Sequence, residues 1–353
     1  MKSHQLGLLL AVLPSTLAAQ SLVRQIDRVR NGTVQLTYAS RPGVCGDGRE
    51  TIRSGSSIVV LPSIFAHGHS DMDACFTGPV RVAIGRSDGE TISYRVHVGG
   101  RWMPVADATD LGIVSAPDAA RYFIDEAQRA GGRNSEYALA AAVFADSVDL
   151  TPDLVRLARS SDAKSELRGR AVFWIATYDD PAAARTLRQL AGDDGLDEDV
   201  RGAAIIALGR DDITDDDVTW LRNLYPHLSE KLRDNVFLAV SRSDGSSASR
   251  WLASISTNSA ESEHTRQQAM FWLGQGRGPT SELVRLYDKL DEPSLRTHYT
   301  FVLSQRRDSE ALEKLIDVAQ HDRDKSVRHQ ALFWLGQSKD PRALAFIRDL
   351  VTR

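Results

Sequence analysis

The chain has 353 residues, of which 42% are hydrophobic and 25% are charged, and it contains 25 Gly and 12 Pro. This composition is typical of a folded soluble protein and excludes a disordered, collagen-like or low-complexity chain. Its 43 basic and 47 acidic residues give a net charge of −4, which excludes a duplex nucleic-acid binder with a basic face. At this length we expect two domains or one extended array.

The N-terminal segment has the pattern of a secretory signal peptide. Lys2 supplies a positive charge, residues 6–13 form an apolar run, and small residues follow near residue 19. The run is too short to span a bilayer, and no later stretch is apolar enough to do so. The sequence predicts a signal peptide over residues 1–19, with a buried N-terminal helix as the alternative, and a periplasmic or secreted mature protein without a membrane span.

Export bears on the two cysteines, Cys45 and Cys75. Outside the cytosol, two cysteines thirty residues apart in one small domain are more often paired than free. Closing such a loop stabilises a fold by about 3–4 kcal/mol on the chain-entropy model. We therefore predict a Cys45–Cys75 disulfide, with two free thiols as the alternative.

Residues 20–115 show the period-two patterns of β-strands. Hydrophobic and polar residues alternate over residues 33–39, 80–84 and 92–98, and residues 58–61 form a short apolar run. Asp88-Gly89 between two of these runs supplies the positive φ angles of a tight hairpin turn. The sequence predicts a small antiparallel β module with one buried face.

One polar loop of this module carries residue types that bind metals. His67, His69, Asp71 and Asp73 lie within seven residues, close to Cys75. Imidazole and carboxylate groups are suitable ligands for a divalent transition metal. No established metal motif has this spacing, however, and a solvated loop is the competing interpretation. These four residues are the candidate metal ligands, and we predict no cofactor otherwise.

A repeat of about 32 residues fills the remainder of the chain. Three segments have nearly the same sequence: residues 170–175, 268–275 and 330–337. Each follows an Arg at a fixed offset. Three weaker copies lie between them. The six repeated arginines, 30–33 residues apart, are Arg168, Arg201, Arg233, Arg266, Arg296 and Arg328.

The pattern within each repeat predicts two helices. Counting from the Arg, positions 3 and 7 are apolar in all six copies, and residues four apart share one helical face. Asp340-Pro341 is typical of a second helix start, while Gly209, Gly274 and Gly336 stand where the first helix is expected to end. The unit is helix, turn, helix, and we expect about six to seven stacked pairs.

Two residue types in the repeat have alternative interpretations. Phe-Trp pairs such as Phe271-Trp272 widen the apolar stripe, which places these tryptophans in the core, against an alternative role as aromatic platforms for a ligand. The repeated Arg has a constant spacing from the core residues of each repeat. This favours an Arg that pairs with acids or carbonyls of the preceding unit. The alternative is an Arg that holds an anionic partner.

Residues 327–336 and 340–343 resemble the HEAT-like repeats first described in phycobilisome lyases, and the resemblance covers roughly residues 135–353. It implies an α–α superhelix. Two enzyme branches share the repeat. Bilin attachment does not suit an exported chain. The di-iron hydroxylases carry His-Glu dipeptides as ligands, whereas none of the nine His here precedes Glu and only Glu263-His264, in reversed order, is similar.

The sequence thus predicts a mainly α protein, with a small antiparallel β domain at residues 20–115 followed by a HEAT-like solenoid at residues 116–353. We expect an exported scaffold or adaptor, without catalysis, that binds a protein or peptide on the concave face of the solenoid. The alternative is a metal-binding or enzymatic protein that acts through the loop containing His67.

Overall fold

The computed structural model divides into two compact units, Met1–Thr186 and Leu187–Arg353. The predicted signal peptide lies outside the residues that the structure describes. The described ranges are residues 22–49, 51–54, 57–60, 75–178, 181–210 and 213–352.

Seven strands and sixteen helices lie in these ranges. The strands are β1 (Gly32–Tyr38), β2 (Val44–Gly46), β3 (Thr51–Ser54), β4 (Ser57–Val60), β5 (Val80–Ser87), β6 (Glu90–Val98) and β7 (Thr109–Ile113). The helices are α1 (residues 22–27), α2 (Ala116–Arg129), α3 (Arg133–Val143), α4 (Thr151–Arg159), α5 (Ser165–Ile175), α6 (Pro181–Ala191), α7 (Glu198–Leu208), α8 (Asp215–Leu224), α9 (Glu230–Ser241), α10 (Ser246–Ser256), α11 (Glu263–Gln275), α12 (Thr280–Leu286), α13 (Pro293–Gln305), α14 (Ser309–His321), α15 (Lys325–Gln337) and α16 (Pro341–Thr352).

The first unit contains two sheets, ordered β6-β5-β1-β7 and β2-β3-β4. Alternation in β1 puts Val34, Leu36 and Tyr38 on its buried side. β5 and β6 pair as the predicted hairpin, in which Asp88 and Gly89 have φ angles of 53° and 89°. The period-two signal thus identified β1, β5 and β6, whereas the short strands β2 and β3, which bury Val44 and Ile52, were not predicted.

The larger sheet is mixed, whereas the sequence predicted an antiparallel one. β7 runs parallel to β1 at the sheet edge, with Val34 opposite Thr109. Most of its residues are exposed, so it has no alternation of apolar and polar residues to reveal it. A side-chain hydrogen bond joins β7 to β1 instead: Gln35 donates to Asp110 at 3.1 Å.

The larger sheet shares a core with the first helices of this unit. Phe123 of α2 lies 6.1 Å from the rings of both Tyr38 and Tyr94. The Tyr38 hydroxyl donates to the Ala141 carbonyl at 2.7 Å, and the Tyr94 hydroxyl donates to Glu126 at 2.7 Å. Burial of these aromatic side chains stabilises the packing of sheet on helices. The predicted domain boundary near residue 115 stays a prediction.

The helices confirm the predicted fold class. From α3 onward they follow as seven consecutive pairs, α3/α4 to α15/α16, and each of the last six first helices carries the repeated Arg. The side chains at positions 3 and 7 after that Arg are buried in all six copies. The 3.6-residue period therefore defines the core stripe of the array.

Gly274 and Gly336 lie inside α11 and α15, one residue before each helix ends, and do not form the expected C-caps. Gly274 is required for close packing, since a Cβ atom there would collide with the side chain of Val302 in α13. This glycine lets two successive first helices of the second unit approach each other closely.

Candidate functional site

The predicted metal ligands His67, His69, Asp71 and Asp73 all lie outside the described residues. Within the described ranges, no group of three or more His, Cys, Asp or Glu side chains is arranged to hold a metal ion. The metal site in this loop stays a prediction.

The predicted disulfide is present. Cys45 of β2 is bonded to Cys75, with their Cα atoms 5.3 Å apart. The adjacent residues Gly46 and Phe76 exchange backbone hydrogen bonds of 3.1 and 2.9 Å. A disulfide suggests an oxidising compartment. In the described part of the chain, no helix combines the length and the apolar character that a membrane span needs.

The repeated arginines lie mostly inside the protein. The side chains of Arg168, Arg201, Arg266 and Arg296 are buried, while Arg233 and Arg328 are half-buried. A guanidinium in such a position needs hydrogen-bond acceptors that replace water.

Backbone carbonyls at the ends of preceding helices supply some of these acceptors. Arg201 donates to the carbonyl of Ala191, the last residue of α6, at 3.1 Å. Arg266 donates to Ser256, the last residue of α10, at 3.3 Å, and Arg328 donates to Asp322, just after α14, at 2.6 Å. A positive charge at a helix C-terminus also complements the helix dipole.

Acids of the following repeat supply further acceptors in the second unit. Arg266 donates two hydrogen bonds to Glu292, at 2.9 and 3.1 Å, and these hold the pKa of that carboxyl below its usual value. Arg296 lies 3.0 Å from Asp322. These contacts join one helix pair to the next, and so they are structural contacts rather than an exposed site for an anion.

Only Trp174 confirms the predicted core placement of the repeated tryptophans, being fully buried in α5. Trp272 and Trp334 are half-buried, and Phe333 is 52% exposed. In the second unit these side chains contact aromatic rings of the same or neighbouring first helices and remain partly open to solvent.

These side chains form an aromatic row, which we define as Phe271, Trp272, Phe301, Phe333 and Trp334. The rings of Phe271 and Phe301 are parallel, with centroids 6.3 Å apart, and the Phe301 and Trp334 rings are 5.4 Å apart. Phe333 and Trp334 pack edge to face at 5.0 Å. The row therefore continues across α11, α13 and α15.

Uncharged polar side chains flank the aromatic row. Four residues after each Phe stands an exposed glutamine, which is the last residue of its helix: Gln275, Gln305 and Gln337. Three residues before each Phe stands Gln268, His298 or Gln330. Burial lowers the pKa of His298, which leaves this imidazole neutral at neutral pH.

The glutamines were not predicted as a site, although their signal is present in the repeat. Position 9 after the repeated Arg is Gln in the last three copies, and it is Thr177, Arg210 or Arg242 in the first three. An exposed position that carries one uncharged residue type in adjacent repeats is not needed for the core. Comparison of exposed positions between repeats could have identified it.

A polar cavity of about 240 Å³ lies in the first unit, beside the α2–α3 turn. Charged side chains of both signs line it, among them Arg129, Glu136 and Lys164. Burial raises the pKa of Glu136, which forms an ion pair of 3.2 Å with Arg170. This pair already satisfies the buried carboxylate, so the cavity has the character of a structural ion-pair site.

A family model described as HEAT repeats matches residues 151–235 and 280–353. No curated protein matches the chain. Both matched ranges lie within the series of helix pairs, and the second includes most of the aromatic row.

Two solved structures are similar to part of this chain. Human deoxyhypusine hydroxylase in complex with glycerol is 17% identical, with a TM-score of 0.27, over 65% of this chain and 88% of that one. The complex of CpcE and CpcF of phycocyanin lyase from Nostoc sp. PCC7120 is 18% identical, with a TM-score of 0.31, over 54% and 77%. At these TM-scores neither likeness bears on function.

Proposed function

Because the chain is a HEAT-like repeat protein, we propose that it is an exported scaffold or adaptor that binds an extended segment of a protein or peptide partner, without catalysis. The observation that carries this proposal is the set of exposed Gln275, Gln305 and Gln337, which occupy one repeat position beside the aromatic row. This uncharged face of the last three first helices is the binding surface.

The glutamines suit the backbone of an extended chain. A glutamine amide both donates and accepts hydrogen bonds, as a peptide group does. Packed helices are about 8–10 Å apart, and an extended chain advances about 3.3 Å per residue. Successive glutamines would thus meet about every third residue of a segment that lies across the three helices.

The aromatic row supplies the apolar part of this surface. Its rings are half-buried or exposed, and aromatic side chains are common anchors at protein interfaces. The flanking side chains are amides and the neutral imidazole of His298. This surface favours a segment of uncharged residues, since a charged residue would lose hydration here without gaining a partner of opposite charge.

We assign the first-helix face of the second unit as the concave side, because α11 and α13 approach each other closely at Gly274 and contact each other more extensively than the second helices α12 and α14 do. A stack of helix pairs curves toward the layer in which the helices lie closer together. A concave face would let several repeats contact one partner segment at the same time.

The proposal is tested by selecting phage-displayed random peptides against the immobilised full chain and measuring the affinity of one selected peptide. We expect Gln305→Ala to weaken binding about 2- to 10-fold, as for one lost neutral hydrogen bond. Gln320→Ala is the matched control, because Gln320 is an exposed glutamine on the second helix α14. Failure to select any peptide, or equal affinity of Gln305→Ala and wild type, would contradict the proposal.

Export is tested separately by sequencing the N-terminus of the chain recovered from the producing cell's exported fraction. The proposal expects a start near residue 20. The disulfide supports it, because such bonds persist in oxidising compartments. Recovery of the chain only from the cytosol, with Met1 or Lys2 at its start, would overturn this part of the proposal.

A further inference from the structure

Three exposed basic side chains recur in the turns that link the first and second helices of three successive pairs. Each stands two residues after the end of its first helix, and that end is a glutamine of the proposed binding surface. They are Arg277, Arg307 and Lys339, and we call them the basic row. Arg277 and Arg307 are exposed although further helix pairs follow them in the array.

Within the described ranges, none of these three side chains has an ion pair or a side-chain hydrogen bond. The acids nearest to them in the sequence have other partners. Asp308 lies 3.7 Å from Arg306 and accepts from the Thr280 hydroxyl at 2.6 Å. Asp340 accepts from Arg342 at 2.9 Å. The described part of the chain therefore leaves the charges of the basic row without a counter-charge.

The basic row and the glutamines occur in the same copies of the repeat. In the last three copies, position 9 after the repeated Arg is Gln and position 11 is Arg or Lys. In the first three copies position 9 is never Gln, and position 11 is always acidic: Asp179, Asp212 and Asp244. The two positions change together along the array, which indicates that they contribute to one surface.

We propose that the partner segment carries an acidic side chain at about every third residue, and that these acids pair with the basic row while the residues between them lie on the aromatic row. This inference rests on the proposed function and names the chemistry of its partner. Carboxylates form charge-assisted hydrogen bonds with guanidinium and ammonium groups. Such complementary charges select one partner over another more than they raise affinity.

The spacing of the helices sets the period of the acids. Each first helix is followed by one member of the basic row, and packed helices are about 8–10 Å apart. A polyproline II chain has three residues per turn and advances about 3.1 Å per residue, so every third side chain points the same way after about 9 Å. In a β-strand, the third residue along points to the opposite face. The segment should therefore bind in a polyproline II conformation.

The basic row leaves the aromatic row uncharged. It lies in exposed turns, where a carboxylate of the partner keeps part of its hydration and gains an opposite charge. A nucleic-acid strand carries a phosphate at every residue and would place some of these charges over the aromatic rings. This difference favours a peptide with spaced acids over a nucleic acid.

Peptides selected on the immobilised full chain test the proposal, and we expect Asp or Glu to be enriched at every third position. Arg307→Gln should weaken binding of one such peptide about 2- to 5-fold, as for one exposed ion pair, and should reduce the fall in affinity with added salt. Lys325→Gln is the matched control and should bind as wild type does. Exposed Lys325 begins the 13-residue helix α15, about 20 Å from its other end and beyond the screening length of about 8 Å.

A synthetic peptide with each acid replaced by its amide provides the second readout. It should bind wild type about 10- to 100-fold more weakly than the acidic peptide, and Arg307→Gln should then cause no further loss. Selected peptides without acid enrichment, or equal salt dependence of Arg307→Gln and wild type, would each overturn the proposal. Tighter binding of single-stranded oligothymidylate than of the peptide, lost in Arg307→Gln, would also overturn it.

Gln305→Ala distinguishes this failure from that of the proposed function. If that variant binds a selected peptide more weakly than wild type does while the acids prove irrelevant, the binding surface stands and only the acidic chemistry of its partner is wrong. If no peptide is selected at all, both the proposed function and the acidic partner are contradicted.

Discussion

The same Phe-Trp pair has different surroundings in the two units of the molecule. In α5 of the first unit, Trp174 is fully buried, with its ring 5.4 Å from that of Phe144 at the end of α3. In α11 and α15 of the second unit, Trp272 and Trp334 are half-buried within the aromatic row. A sequence motif therefore determines the helix face on which a residue lies, whereas the neighbouring elements determine whether that face is core or surface.

The comparison predicts unequal costs of truncating the two tryptophans. Trp174→Ala should lower the free energy of unfolding by about 3–5 kcal/mol, through the cavity that it leaves. Trp272→Ala should cost about 1–2 kcal/mol, because its side chain already contacts water. Denaturant unfolding followed by circular dichroism measures both. Equal costs would show that the two tryptophans have the same environment, which would contradict the difference in burial between the two units.

The ion pairs of the second unit provide the next effect. Arg296 is 3% exposed and its partner Asp322 is buried, so Arg296→Met should cost about 3–5 kcal/mol by leaving a buried carboxylate without its charge partner. The half-buried Arg233 pairs with Glu261 at 3.2 Å, and Arg233→Met should cost only about 1 kcal/mol. The thermal midpoint should therefore fall further in Arg296→Met than in Arg233→Met. An equal or larger fall in Arg233→Met would show that burial does not govern the strength of these pairs.

The disulfide should stabilise the first unit specifically. Replacing both Cys45 and Cys75 with Ser should cost about 3–4 kcal/mol, since a loop of thirty residues is no longer closed in the unfolded chain. Proteolysis under native conditions, read by mass spectrometry, would then report new cleavage before residue 186. New cleavage sites distributed evenly over both units would contradict a local effect.

The smallest effect concerns Glu292, whose pKa Arg266 lowers from the ordinary value of 4.5. A lowered carboxyl pKa adds stability that is present above the ordinary value and is lost as the pH falls through the folded value. Glu292→Gln should cost at most about 1 kcal/mol at neutral pH, because an exposed carboxylate is screened. The difference should vanish in acid. Asp291→Asn, at the exposed neighbouring residue, is the control, and a pH-independent difference for Glu292→Gln would refute the linkage.

Much of the fold could be predicted from the sequence because the repeat makes each signal recur. The buried stripe of the first helices follows from the residues at positions 3 and 7 after the repeated Arg. β7 could not be found in this way, since an exposed edge strand carries no alternation. Gly274 was misassigned to a helix end because its collision with a side chain of α13 is a contact between repeats.

The candidate site was less accessible to prediction. Residues such as His67 and Asp71 can be identified singly as candidate ligands, because imidazoles and carboxylates bind metals. The glutamines of the proposed binding surface have no distinctive chemistry when taken singly. Their proposed binding role depends on their exposure and on their alignment across three helices. Both are properties of the packed array.

Hydrogen–deuterium exchange of the full chain with and without a selected peptide locates the binding surface on the helices. We predict that the peptide protects the last turns of α11, α13 and α15, at residues 272–275, 302–305 and 334–337, and leaves the second helices α12 and α14 unchanged. Protection confined to α12 and α14, or exchange that the bound peptide does not alter, would contradict the assignment of the first-helix face as the binding surface.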